Sequence, residues 1–584
     1  MSEEKNNKLE MTRHSLSHIM AAAILKLYPK VKFAIGPAVA DGFYYDLDFG
    51  KQKISDGDLI KIEEEMKNII KANLLFEKFE LPIAKALARE KKSGQVYKLE
   101  LIKDFKKSGE KFVSYYKLGQ FTDLCRGPHI KSAGQIQNGS WRLEKLAGAY
   151  WRGDEKNKML TRIYGLAFAA KAELANYLKM LEEAEKRDHR KLGKELDLFS
   201  FHEVAPGMTF FHPKGAVIYE ELKKFWVKAQ KEFDYQYVYC PSMLDVSIWK
   251  QSGHWDHYKD DMYFLRFEDG EKQYALRPMD CPGAILIYNN SLKSYRDLPL
   301  RYAEPGLITR KEKSGQLNGL LRVQQFTQDD AHIFITADQV EGEIKNVISL
   351  VDRIYAPFGM KYKAYLSTRP DDFMGDIESW NKAEKALKKI LDEIYGAGNY
   401  GLKEKDGAFY GPKIDYQLED AIGRTWQCAT VQLDFQMPLK FGCKYIDNNG
   451  KEAVPVLIHR TIMGSFERFM GILIEHYVGA FPLWLSPVQV KIISVGQAHA
   501  EYCRKLAAEF EIEDIRVEVD ETDETVGNKI RKAVAEKAPY MLVVGDREMA
   551  STNLSVRDRG EKQTREINKA EFIKEVREKI KKRK

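Results

Sequence analysis

Residues 306–334 read GLITRKEKSGQLNGLLRVQQFTQDDAHIF. An apolar run ending at Ile308 and a second beginning near Leu320 enclose a loop that carries Arg310 and Glu312, with Arg322 just beyond. A planar guanidinium grips phosphate with two parallel hydrogen bonds and stacks on adenine, so arginines placed this way suit a phosphorylated ligand. GSFERF at 464–469 adds Arg468, four residues after Gly464 in a helical pattern. Two arginines occur in most sequences by chance, so alone they carry little.

Outward from this stretch, residues 197–485 form a large section rich in aromatics and short β-type runs with helical stretches between. Upstream, the pattern predicts a helix over Thr12–Tyr28 capped by Thr12, turns over Gly36–Gly42, and a second amphipathic helix near Leu59–Asn73. Ala169–Gly193 reads as a charged helical connector. Past Ser486-Pro487, VQVKIISV, IRVEVD and YMLVVG read as buried strands alternating with helices, an α/β pattern with a partly parallel sheet.

The 584 residues exceed what one core supports, so several domains are expected. A content of 44% hydrophobic and 31% charged residues is that of an ordinary soluble protein, and no apolar run reaches membrane length. MSEEKNNKLEM lacks the apolar stretch of a signal peptide, which predicts a cytoplasmic protein. Six scattered cysteines are no disulfide framework, and a formal charge of +7 only weakly favours a nucleic-acid partner.

RPMDCPG, SYRDLPLR, RVQQFTQDDAHIF, FYGPKID, WQCATVQLDF and IHRTIMGSFERF, in this order, together resemble bacterial-type threonyl-tRNA synthetases, class II aminoacyl-tRNA synthetases. The likeness runs from about His14 to the end of the chain. Arg310–Arg322 and Gly464–Arg468 resemble motifs 2 and 3, and Pro241 in YVYCPSML falls at the motif 1 proline of the dimer interface. The resemblance implies a multidomain α+β and α/β protein: an α+β editing domain (1–168), a linker helix (169–196), a class II catalytic domain on an antiparallel sheet (197–485) and an α/β anticodon-binding domain (486–584). It implies a homodimer that uses threonine, ATP with magnesium, and tRNA(Thr), with no membrane partner.

Roles follow for matched positions. Arg310 would hold the α-phosphate and the amino-acid carboxylate, and Arg468 the γ-phosphate. Phe326 would stack on adenine with Glu312 near its exocyclic amine. Arg322, Gln427, Thr430 and Ser465 would line the nucleotide, and Gln328, Asp330, Tyr410 and Lys413 the amino acid. Cys281, His332 and His459 come from three separate strings, and each alone reads as a buried thiol or a hydrogen-bonded histidine. The resemblance makes them ligands of one zinc per subunit, with an open position of the kind catalytic zinc keeps. Chelation by amine and β-hydroxyl would admit threonine and exclude the isostere valine, which an apolar pocket separates poorly.

His14 and His18 are four residues apart on one helix face, and DLCRGPH carries Asp123, Cys125 and His129. Such pairs could ligate a metal, move protons or simply pack. With GPAVADGFYYDLD and GAYWRGDEKNKMLTRIYG they resemble the editing domain shared by threonyl- and alanyl-tRNA synthetases, in a branch that edits without a second zinc. Serine also chelates, and its missing methyl is worth only about 1–3 kcal/mol, so a separate site that hydrolyses seryl-tRNA is required. In the last section Glu548 and Arg557, and less directly Asn528 and Arg531, match positions that touch anticodon bases.

The family's N-terminal ubiquitin-like domain is not matched. Ala284 stands where histidine commonly follows CPG, and Thr309 where histidine precedes Arg310; both bear on tRNA transfer or the motif 2 loop. Two rival readings are a relative charging proline or serine, and a catalytically silent RNA-binding paralogue. The first lacks a reason for the Cys281, His332 and His459 set, and the second for intact motif arginines.

Overall fold

The computed structural model describes residues 3–266 and 273–583. The chain divides into two compact units, Met1–Glu182 and Glu183–Lys584.

In the first unit an antiparallel sheet runs Lys32–Phe33, Gly42–Asp48, Met159–Ala167, Trp141–Tyr150. The helices Glu3–Leu27 and Asp56–Lys71 bury Leu16, Ile19, Ile62 and Met66 in one core with Phe43, Tyr45 and Leu47 of this sheet. A second antiparallel sheet joins Phe76–Pro82, Phe112–Leu118 and Phe121–Leu124. The expected cap at Thr12 is wrong. The helix starts at Glu3, and the Thr12 hydroxyl donates to the Lys8 carbonyl at 2.9 Å inside it. Polar residues of the first turns hid the extension, because the apolar period begins only once the helix meets the core.

The connector is also not one helix. Lys171–Arg187 stops at Asp188, whose non-helical backbone breaks the run and whose carboxylate caps a separate helix, His189–Glu195, by accepting the Arg190 N–H. In the second unit an eight-stranded sheet runs Gln236–Tyr237, Leu300–Thr309, Gln325–Ile335, Val456–Thr461, Thr425–Asp434, Lys413–Glu419, Lys361–Ser367, Gly401–Lys403. Its six central strands are antiparallel. Helices Pro213–Glu232, Val340–Tyr355 and Phe466–Tyr477 pack Trp226, Ile348 and Phe469 into one core with strand residues Ile333 and Ile458. From Val490 a five-stranded sheet is parallel over Val517–Asp520, Val490–Ser494 and Tyr540–Val544, then antiparallel through Asn553–Asp558 and Arg565–Asn568. Among the described residues no helix is long and apolar enough to cross a membrane.

Candidate active site and metal centre

Strand register builds the centre. Pairing of Gln325–Ile335 with Val456–Thr461 sets His332 opposite His459, and the next strand sets Gln432 on the far side of His459. Cys281 opens the helix Cys281–Asn289. One ligand atom from each of Cys281, His332 and His459 lies within 4.8 Å of the others, and all three residues are buried. His459 Nε2 is 2.9 Å from Asp434 Oδ2, which leaves Nδ1 facing the cluster. Among the described residues that Nδ1 and His332 Nε2 have no hydrogen-bond partner. Two orphaned imidazole nitrogens beside a thiol, one ring steered by a carboxylate, fit a tetrahedral zinc. Burial, then Asp330, Asp280 and Asp434, push the Cys281 thiol well above its ordinary range; a bound cation would reverse that balance.

A cavity of about 480 Å³ extends from Cys281 and His459 past Gln328, Asp330 and Tyr410 to Arg310, Phe326, Gln427, Thr430, Ser465 and Arg468. Arg468 donates to the carbonyls of Leu321 (3.0 Å) and Gln427 (3.1 Å), and Arg310 to that of Pro278 (3.0 Å). Neutral carbonyls hold both guanidinium groups in the cavity, where a phosphate anion would find them. The Arg310 guanidinium also sits 5.4 Å from the centre of the Phe326 ring. Arg322 differs: Glu312 pairs with it at 2.9 Å, so these two cavity residues neutralise each other. Lys413 does not line the cavity. It pairs with Asp415 at 3.0 Å, and that buried carboxylate also accepts from Gln427 and Thr430 at 2.8 and 3.0 Å.

In the first unit, Cys125 Sγ lies 3.3 Å from both His14 Nε2 and His129 Nε2. His18 Nε2 is 3.6 Å from Asp123, whose carboxylate also takes Lys98 at 2.5 Å and the Tyr45 hydroxyl. Burial dominates the titration here, depressing all three imidazoles and raising the thiol to about 12. His14 lines a cavity of about 310 Å³.

The chain matches three family descriptions: the tRNA synthetase class II core domain (G, H, P, S and T) over 263–477, the anticodon binding domain over 489–579, and the threonyl and alanyl tRNA synthetase second additional domain over 113–164. The threonine–tRNA ligase of Clostridium kluyveri is 51% identical over 98% of this chain and 89% of its own length. That of Clostridium botulinum (strain Kyoto) is 52% identical over 97% and 88%. The chain belongs to the threonine–tRNA ligase family. A solved structure, the RNA binding domain of a threonyl-tRNA synthetase from Cryptosporidium parvum, superposes with a TM-score of 0.64 at 38% identity, over 67% of this chain and 97% of that one. A prolyl-tRNA synthetase of Giardia lamblia, at 16% identity and a TM-score of 0.53, shares the fold.

Within this family fold, residues that sequence reasoning passed over support those it chose. Asp434 steers His459, and the Gln432 amide oxygen accepts the Tyr410 hydroxyl. At the first-unit site Tyr45 lies in GPAVADGFYYDLD, whereas Lys98 sits in no recognisable motif. The anticodon candidates are less gathered. Glu548 accepts the Gly545 N–H at 3.0 Å, Arg557 donates to the Glu561 carbonyl at 2.8 Å, Asn528 donates to Glu524, and Arg531 is exposed.

Proposed function

We propose that the chain activates threonine with ATP, transfers it to the 3′ end of tRNA(Thr), and hydrolyses seryl-tRNA(Thr) at a second site. The division into editing (1–168), linker (169–196), catalytic (197–485) and anticodon-binding (486–584) parts belongs to the same reading. The observation that carries it is a single cavity joining a Cys–His–His cluster to Arg310 and Arg468, whose guanidinium groups donate to backbone carbonyls.

The substrate carboxylate is already a nucleophile, so no protein base is needed. Its oxygen forms a bond to the α-phosphorus while the bond to pyrophosphate breaks, and magnesium on the phosphates spreads the leaving charge. Arg310 holds the carboxylate against the α-phosphate, Arg468 anchors the γ-phosphate, and Phe326 fixes the base. Catalysis is positioning and electrostatic stabilisation. Cys281, His332 and His459 would hold a zinc ion, which when bound would supply Lewis-acid binding of an amine with a β-hydroxyl. Asp330, Gln328 and Tyr410 orient the rest of the amino acid. Lys413 acts through Asp415, which keeps Gln427 and Thr430 turned to the nucleotide.

At the second site His14, His18, Asp123, Cys125 and His129 act on a water beside the ester. One ligand atom from each of His14, His18, Cys125 and His129 lies within 4.8 Å of the others, so metal analysis of the first-unit site accompanies the test of this chemistry. Glu548, Arg557, Asn528 and Arg531 are proposed to meet anticodon bases. A homodimer through the segment around Pro241 suits the 71% exposure of Tyr239 and 41% of Met243. Six free cysteines suit a reducing cytoplasm.

Amino-acid-dependent ATP–pyrophosphate exchange tests the reading. Exchange with threonine and none with valine or proline is expected. Exchange with proline alone, or with no amino acid, would leave the rival relative or the silent paralogue.

A further inference from the structure

His189 is 1% exposed, and the chemistry above does not use it. Its Nδ1 lies 2.7 Å from Glu475 Oε1, and its Nε2 receives the Leu320 backbone N–H at 3.0 Å. A backbone N–H only donates, so Nε2 is the acceptor, and the ring proton sits on Nδ1, donated to Glu475. Asp188, His189 and Glu475 lie close enough to hold a metal ion, but their ligand atoms are already engaged. Asp188 accepts from the backbone and side chain of Arg190, and the second Glu475 oxygen accepts from Arg424. The cluster is a joint between segments.

The segments it joins both reach the ATP cavity. Glu475 lies in the last turn of the helix Phe466–Tyr477, whose first turn carries Arg468. Leu320 is followed by Leu321, whose carbonyl accepts Arg468 Nε, and both leucines line the cavity. Helix, imidazole, Leu320–Leu321 and the Arg468 guanidinium therefore close a ring. Gly319 is shaped to this joint. Its φ is +49°, and a Cβ there would meet His189 Nε2 at 2.1 Å. The loop turns into Leu320 against the face of the ring, where only a residue without a side chain fits.

We propose that His189 is a positioning residue for adenylate formation: it fixes the segment Gly319–Leu321, and through the Leu321 carbonyl it holds the Arg468 guanidinium where ATP phosphates bind. The proposal rests on the ligase reading above. Wild-type exchange with threonine tests that reading separately, before any variant is compared.

The experiment measures exchange kinetics of the full chain for His189→Ala, His189→Gln and Gly319→Ala, with thermal unfolding to check folding. His189→Ala should raise the KM for ATP on the order of tenfold, as expected for the loss of one buried hydrogen-bonded anchor, and leave the KM for threonine within about twofold. His189→Gln, whose amide oxygen can accept from Leu320, should recover most of that loss. Gly319→Ala should raise the ATP KM in the wild type, and by a smaller factor in the His189→Ala background, where the nearest clashing atom is gone and Arg190 Cγ, at 2.8 Å, remains. A folded His189→Ala enzyme with an unchanged ATP KM overturns the proposal, as does an equal rise in both KM values. If His189→Ala does not fold, an unchanged ATP KM in both His189→Gln and Gly319→Ala overturns it.

Discussion

Cys281 stands at the start of its helix, where burial and then three carboxylates raise its thiol, an environment hostile to a thiolate unless a cation shares it. Cys281→Ser is therefore expected to lose bound zinc and threonine-dependent exchange together, read by metal analysis and by exchange on one sample. Full activity in demonstrably metal-free protein would refute the metal's role. Lys413 has a different standing. Its ammonium pairs with Asp415, the carboxylate that accepts from Gln427 and Thr430. In the first unit the sulfur of Cys125 bridges two imidazoles, and His14 faces the cavity. Replacing His14 and His18 with alanine should slow seryl-tRNA hydrolysis at least about 100-fold, the scale of a lost acid–base group; an unchanged deacylation rate would remove them from the site.

Two buried carboxylates stitch the elements of the catalytic sheet together. Asp329, on the strand Gln325–Ile335, accepts the Ile462 and Met463 N–H groups at 2.9 Å each, and also the Thr461 hydroxyl. It thereby pins the turn between the strand holding His459 and the helix holding Arg468. Asp329→Ala would leave two buried donors unpaired at about 1–3 kcal/mol each, so a fall in denaturation midpoint together with loss of exchange is expected. Glu467 makes the reverse stitch, from the helix back to Thr327 N at 2.9 Å. Burial lifts its pKa from 4.5 to about 7. The folded state then holds this proton more tightly than the unfolded chain. Stability from the group is full below pH 4.5 and is lost as pH rises to 7, by about 3 kcal/mol in all. Glu467→Gln should flatten that part of the stability–pH curve; the same slope in the variant would show another group to be responsible.

Across the molecule the two sites belong to different compact units, Met1–Glu182 and Glu183–Lys584, and share no residue. Separable losses are the expected result. Cys281→Ser should abolish activation yet hydrolyse preformed seryl-tRNA(Thr) at the wild-type rate, and a parallel fall in both activities would argue against independent chemistry. The sequence by itself determined the order of the parts, the α/β character of the last one and the family, because apolar periodicity and contiguous strings are local properties. It also brought Arg310 and Arg468 forward, since guanidinium chemistry is legible in the residue type. It misjudged the start of the first helix and the unity of the connector, where polar surfaces carry no period and an aspartate interrupts the helix. Only the tertiary structure decided how the candidate metal ligands meet: cross-strand register sets His332 against His459, and Asp434 turns the second ring. The His189 joint is likewise invisible in one dimension, because it binds Leu320 across 131 positions of chain. Register and long-range packing bring together residues whose own neighbours in sequence say nothing of one another.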